Sequence, residues 1–187
     1  MRIVAGEYGG RRLSAVPGRA TRPTTDKVKE ALFNIIGPYF NGGTSLDLFA
    51  GSGGLSIEAV SRGVDKAFLV DRQYAAVKTI RQNIAVTKHP EKFEVLKNDA
   101  NRALQLFAKQ RQHFDMVFLD PPYAKQQIVK NMQTMSEQAL LNEGALIIAE
   151  TDHHANLPDQ LPSFRLQRRQ TYGITELTLY RFGGGKK

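Results

Sequence analysis

The sequence predicts an α/β fold on a mostly parallel sheet, with its ligand at the carboxyl ends of the strands. Three observations predict it. Short apolar runs alternate with segments of helical spacing from Ser45 to Glu150, which argues for parallel strands joined by right-handed crossovers. The first of these strands runs straight into the glycine-rich turn Ala50-Gly51-Ser52-Gly53-Gly54. The strands that follow end on Asp71, Asn98-Asp99 and Asp120. Polar groups recurring at successive strand ends mark the edge where open α/β sheets bind ligands.

The elements follow in chain order. Arg2–Tyr8 and Arg11–Val16 flank Gly9-Gly10, a hairpin signature, so an amino-terminal β-hairpin extension is expected to protrude from the core. Val16–Thr25, rich in Pro, Gly and Arg, reads as a loop. Thr25 or Thr24 then caps a helix to about Ile36, with Val28, Ala31, Leu32, Ile35 and Ile36 on one face. Gly37-Pro38 ends it.

Ser45–Phe49 is the first core strand, and Leu55–Val60 has helical spacing. Strand, glycine turn and helix form a Rossmann-like, nucleotide-binding opening. Glycine permits φ > 0 and lets a ligand approach the main chain. A dinucleotide fingerprint needs a third glycine where Ser56 stands, and no Lys-Ser or Lys-Thr follows. A nucleoside ligand is therefore favoured over a pyrophosphate. Lys66–Val70 is the second strand, and Asp71 closes it 20 residues after Gly51. That is the place for a carboxylate on ribose hydroxyls, although Asp71 also reads as an N-cap for the helix Gln73–Val86. Phe93–Leu96 is the third strand. Asp99 beyond it reads either as an acceptor for an adenine amino group or as a cap for the helix Asn101–Gln110.

Met116–Leu119 is the fourth strand, and Asp120-Pro121-Pro122-Tyr123 follows it. Two prolines donate no ladder hydrogen bonds, so the chain must leave the sheet there. A carboxylate, a stiff turn and an aromatic ring then sit together. Such a set can hold a flat base by its amino group; the plain alternative is a strand-ending turn. Gln126–Leu141 reads as a helix and Ala145–Glu150 as the fifth strand. Phe164–Thr171 and Glu176–Arg181 complete seven strands as an antiparallel hairpin at the sheet edge, because Tyr172–Thr175 is too short to hold a helix.

A length of 187 residues suits one domain. Its parts are a basic hairpin, loop and helix over 1–40, a catalytic core over 41–182 and a frayed tail over 183–187. Cysteine is absent, which excludes disulfides, cysteine-ligated metal and the thiolate that cytosine-C5 methylation requires. His89, His113, His153 and His154 show no ligand spacing and read as surface or loop residues, so no metal is expected. Neither a membrane span nor a signal peptide is apparent, and cytoplasmic residence is the simplest reading. No surplus apolar stripe argues for an obligate dimer, so a monomer is expected. The net charge of +8 favours a polyanionic partner. Residues 1–29 concentrate it, with Arg2, Arg11, Arg12, Arg19, Arg22, Lys27 and Lys29 against Glu7 and Asp26, the density that phosphate binding needs.

The set Asp47-Leu48-Phe49-Ala50-Gly51-Ser52-Gly53, Asp71, Asp99 and Asp120-Pro121-Pro122-Tyr123 resembles the motifs of class I S-adenosylmethionine-dependent N-methyltransferases. Arg2–Leu13 and Arg22–Asn34 narrow the resemblance to the bacterial 16S ribosomal RNA guanine-N2 methyltransferases, over nearly the whole chain. Gly54 departs from the alanine expected there. The resemblance implies S-adenosylmethionine as cofactor, held by Asp47, Phe49, Ala50, Gly51, Gly53, Asp71, Arg72, Asp99 and Ala100, with Arg22 and Thr24 or Thr25 closing over it. It implies catalysis by Asp120, Pro121, Pro122 and Tyr123. It also implies a small-subunit assembly particle as the setting of the 16S RNA, met by Arg2, Arg11, Arg12, Arg19 and Lys27. Adenine N6 or cytosine N4 would suit the same amine-holding corner. A nicotinamide-dependent oxidoreductase fits less well, since Ser56 replaces its third glycine and Asp-Pro-Pro-Tyr has no part in hydride transfer.

Overall fold

The computed structural model describes residues 1–18, 24–122 and 124–184, excepting the side chains of 124–126. Arg19, Arg22, Tyr123 and 185–187 therefore lie outside the described residues. The chain forms two compact units, Met1–Asp99 and Ala100–Lys187.

The first unit holds α1 (Asp26–Ile36), β1 (Thr44–Asp47), α2 (Gly54–Ser61), β2 (Lys66–Asp71), α3 (Tyr74–Thr87), a 3-10 turn (Pro90–Lys92) and β3 (Phe93–Lys97). Its strands are parallel in the order β3-β2-β1, with Leu46 opposite Phe68 and Leu69 opposite Val95. Val70, Leu69 and Ala67 are fully buried, as strands covered on both faces must be. Every residue of α2 is buried, so this helix has no solvent-facing side. Thr25 is the cap of α1, its hydroxyl accepting from the Val28 N–H at 3.2 Å.

Two expectations change in this unit. The buried stripe of α1 is Lys29, Leu32 and Phe33; Val28, Ala31, Ile35 and Ile36 are only partly covered. Lys29 is inside because its ammonium lies 3.5 Å from the fully buried Glu58 and donates to the Arg2 carbonyl at 2.5 Å. Burial nevertheless lowers the Lys29 pKa, with Glu58 and Asp26 pulling it back up. The amino-terminal arm does turn back at Gly9-Gly10, but a single bridge, Arg2 to Arg12, stands where a strand ladder was expected.

Nor does the arm protrude. Ile3, Tyr8 and Leu13 are 0%, 1% and 6% exposed. The Val4 and Ala5 N–H groups donate to the Glu58 carboxylate at 2.8 and 3.0 Å, and Arg62 pairs with it at 2.8 Å. Four donors around one buried carboxylate are what such a charge requires. Gly6, at φ +87, passes so close to the Ser61 carbonyl that a Cβ would lie 2.0 Å from its oxygen.

The second unit holds α4 (Ala100–Lys109), β4 (Phe114–Leu119), α5 (Ala124–Glu137), β5 (Leu141–Asp152), β6 (Gln160–Leu161), β7 (Phe164–Tyr172) and β8 (Thr175–Phe182). The strand order is β4-β5-β8-β7-β6. β4 and β5 are parallel, and every pairing from β5 outward is antiparallel. Eight strands thus stand among the described residues, the two-residue β6 adding to the seven read from the sequence. α5 ends before the expected Leu141: Ala139 takes φ 55, which stops the helix, and Leu141 opens β5 opposite Phe114. His153 and His154 follow β5 in a turn, both exposed, with ring centroids 3.9 Å apart. No helix among the described residues is long and apolar enough to cross a membrane.

Candidate active site

The glycine turn is built by its own backbone. Gly51 and Gly53 have φ 58 and 83, values glycine alone adopts without cost. Gly53 caps α2 in this left-handed conformation, and a Cβ there would press on Leu69 at 3.1 Å. The turn is braced from both sides. Asp47, 2% exposed, accepts from the Phe49 N–H at 3.3 Å. Asp71 accepts from the Gly51 N–H at 3.0 Å and from the Gln73 N–H at 2.9 Å. Asn83, inside α3, donates to the Ser52 carbonyl at 2.8 Å and exchanges two hydrogen bonds with the Ser14 backbone. Met1 also reaches the turn, its sulfur 3.8 Å from the Ser52 hydroxyl. The arm is therefore part of the wall behind the glycine turn, and Asn83 and Met1 are members that sequence reading missed. No local motif signals either.

These positions sort the expected cofactor residues. Gly51, Ser52 and Phe49 are partly open and Ala50 and Gly53 buried, so the turn offers main chain rather than side chains. Asp47 shapes the turn from beneath it. Each oxygen of Asp71 accepts from a main-chain donor, and 5% of the residue is exposed. Arg72 is exposed beside it. At the end of β3, Asp99 and Ala100 are half-buried, and Asn98 accepts from the Asp99 N–H at 3.0 Å. Thr25 caps α1, and Thr24 is half-buried before it. The main-chain turn and the acidic ends of β2 and β3 suit a nucleoside carrying a positive sulfonium and ammonium. A groove of about 490 Å³ between α3 and β3, lined by Arg81, Ile84, Ala85, Pro90, Phe93 and Val95, contains none of these residues.

In the second unit, Met116 to Leu119 of β4 are buried, and Asp120 emerges exposed immediately after them. Pro121 is buried and Pro122 exposed, so the turn is anchored by one ring and leaves the other at the surface. Among the described residues no cluster suited to a metal ion occurs.

The basic residues of the arm divide. Arg2, Arg12 and Lys27 are exposed. Arg11 is half-buried, lies over the Tyr8 ring at 5.3 Å and donates to the Val86 and Thr87 carbonyls at 3.0 and 3.1 Å. It caps the carboxyl end of α3, where a cation meets the negative pole of the helix.

The model of one protein family, conserved hypothetical protein 95, matches residues 1–181. The chain belongs to this family. It is 45% identical over 184 residues to "Putative rRNA methyltransferase YlbH" of Bacillus subtilis (strain 168), covering 98% of this chain and 100% of the other. "Ribosomal RNA small subunit methyltransferase D" of Haemophilus influenzae is 36% identical over 186 residues, covering 96% and 93%. The solved structure "Putative methyltransferase yhhF from Escherichia coli" superposes with a TM-score of 0.84 at 29% identity, over 99% of each chain. The fold is the class I methyltransferase fold expected from the sequence, a mostly parallel sheet with antiparallel carboxyl-terminal strands.

Proposed function

We propose that this chain transfers a methyl group from S-adenosylmethionine to the exocyclic N2 amine of a guanine in 16S ribosomal RNA. It acts as a cytoplasmic monomer on a small-subunit assembly particle. The observation that carries the reading is Asp120, a carboxylate exposed at the very end of a buried strand and followed by a half-anchored Pro-Pro turn, in a chain of this family.

S-adenosylmethionine, when bound, supplies a methyl group already activated by its sulfonium charge. The glycine turn and Asp71 fit its nucleoside, and Asp99 with the Ala100 N–H its base. The difficulty lies with the acceptor, whose lone pair is delocalised into the guanine ring. Asp120 accepts a hydrogen bond from that amine, and the Pro121 carbonyl takes a second. Together they hold the nitrogen towards sp³ geometry and orient its lone pair. The Asp120 charge also stabilises the positive charge that develops on nitrogen. No proton need leave in the transition state, because an alkylated ammonium loses it readily afterwards. Tyr123 would stack on the base once the nucleotide leaves its helix, at a cost of about a few kcal/mol. Arg2, Arg12, Lys27 and Arg19 meet backbone phosphates.

The test supplies radiolabelled donor with 16S RNA, small-subunit particles and duplex DNA. Label on the guanine N2 of RNA or particle is expected; label on adenine N6 or cytosine N4 would replace the substrate assignment. Asp120→Ala should bind S-adenosylmethionine normally and keep less than about a tenth of the transfer rate. Retention of more would remove Asp120 from the chemistry.

A further inference from the structure

β7 reads Phe-Arg-Leu-Gln-Arg-Arg-Gln-Thr-Tyr from residue 164. In an unbroken strand Arg165 and Arg168, three residues apart, point to opposite faces. This strand is not unbroken. Its register against β8 slips by one residue between Leu166 and Arg168, so Gln167 is the extra residue of a β-bulge. Arg165 then stands opposite Arg181, Arg168 opposite Leu179, Gln170 opposite Leu177 and Tyr172 opposite Thr175. The four β8 partners alternate along their strand, so the four β7 residues share one face. The bulge has turned Arg168 into line with Arg165.

The row has the marks of an anion site. Arg165 and Arg168 are both exposed, and neither has an ion pair with a carboxylate among the described residues. Their neighbour Arg169 faces the other way and is taken by Asp159 at 2.7 Å and Glu176 at 3.4 Å. Arg165 also lies directly across from a second arginine, Arg181, which is anchored to the Gly144 carbonyl at 2.9 Å. Like charges in that position oppose pairing unless a shared anion relieves them. The row has a direction as well. Arg181 is level with Leu146 on β5 and Thr175 with Asp152, whereas Ala149 is level with Leu119, the residue before Asp120. The row therefore climbs about 20 Å along β7 and ends at the same carboxyl edge as Asp120.

We propose that Arg165 and Arg168, aligned by the Gln167 bulge, form a second phosphate-contacting surface, which holds the substrate RNA backbone on its way to the Asp120 edge. A single file of cations separated by about two strand residues, roughly 7 Å, matches successive phosphates of one strand better than it matches an acidic protein patch. The inference rests on the RNA reading above.

The test compares the wild type, the Arg165→Ala/Arg168→Ala double variant, the matching Lys/Lys variant and Arg168→Gln. RNA affinity is measured across a salt series, with steady-state transfer and calorimetry of S-adenosylmethionine alongside. The Ala variant should raise the KM for RNA about tenfold, with kcat and cofactor affinity held, and lower the slope of log affinity against log salt by about 1–2. Arg168→Gln should lower the slope by about 1, and the Lys variant should keep it. Unchanged slopes in both the Ala and Gln variants would overturn this surface while leaving the methyltransferase reading intact. A wild type that methylates no RNA would instead overturn that reading.

Discussion

The carboxylate of Asp71 accepts from Gly51 and Gln73 at 3.0 and 2.9 Å, so its removal acts on the glycine turn before it acts on any ligand. Each buried N–H left without an acceptor costs about 1–3 kcal/mol. Asp71→Ala should therefore lower the stability of the free protein and weaken cofactor binding together, and affinity alone does not separate bracing from ribose contact. A second ligand does. The wild type should bind S-adenosylhomocysteine about tenfold more tightly than an analogue lacking the ribose hydroxyls, as one charged hydrogen bond of roughly 1.5 kcal/mol implies. Asp71→Ala should bind both alike. If calorimetry shows the variant keeping the full preference, Asp71 is a brace and nothing more.

At the scale of the element, β8 is tied down by one phenol. Tyr180 is fully buried and donates to the Pro158 carbonyl at 2.6 Å, fixing the strand to the loop after β5. Burial raises its pKa above the ordinary value, although Arg169 beside it works the other way. Below about pH 10 the phenol is protonated in both folded and unfolded chains. Above it the unfolded chain loses the proton first, so stability falls as pH rises towards the folded pKa. Tyr180→Phe should cost about 1–3 kcal/mol near pH 8 by leaving the Pro158 carbonyl unpaired. It should also descend less steeply than the wild type above pH 10; denaturant unfolding at both pH values decides.

Elements also show where sequence reading stops. The turn from β1 to α2 was legible because glycines, strand and helix are all local. The Asp-Pro-Pro corner was legible because proline forbids a ladder wherever it stands. The stripe of α1 was not, since Lys29 is buried by Glu58, 29 positions away, and no helical period foretells a distant carboxylate. The anchoring of Arg11 was not legible for the same reason: its acceptors belong to the end of α3. The bulge at Gln167 leaves no trace in composition at all.

At the scale of the whole molecule, the arm decides whether RNA binding can be separated from folding. A protruding basic hairpin could be deleted to leave a folded core that merely binds RNA poorly. The arm found here is different in kind. Ile3, Tyr8 and Leu13 bury their side chains, each contributing about 1.5–3 kcal/mol. Deleting residues 1–13 would also strip the Val4 and Ala5 donors from Glu58, leaving a buried carboxylate with fewer partners. Those losses together are comparable to the roughly 5–15 kcal/mol that keeps a domain folded. A chain beginning at Ser14 should therefore be insoluble, or should melt far below the full-length protein, with its cofactor binding gone as well. Arg12→Ala, in contrast, should leave the melting temperature within about 1–2 °C, as a surface change does, and weaken RNA binding alone. A truncated chain that melted like the wild type and bound S-adenosylmethionine would show the arm to be an appendage after all, and the contacts at Glu58 and Ser61 to be incidental.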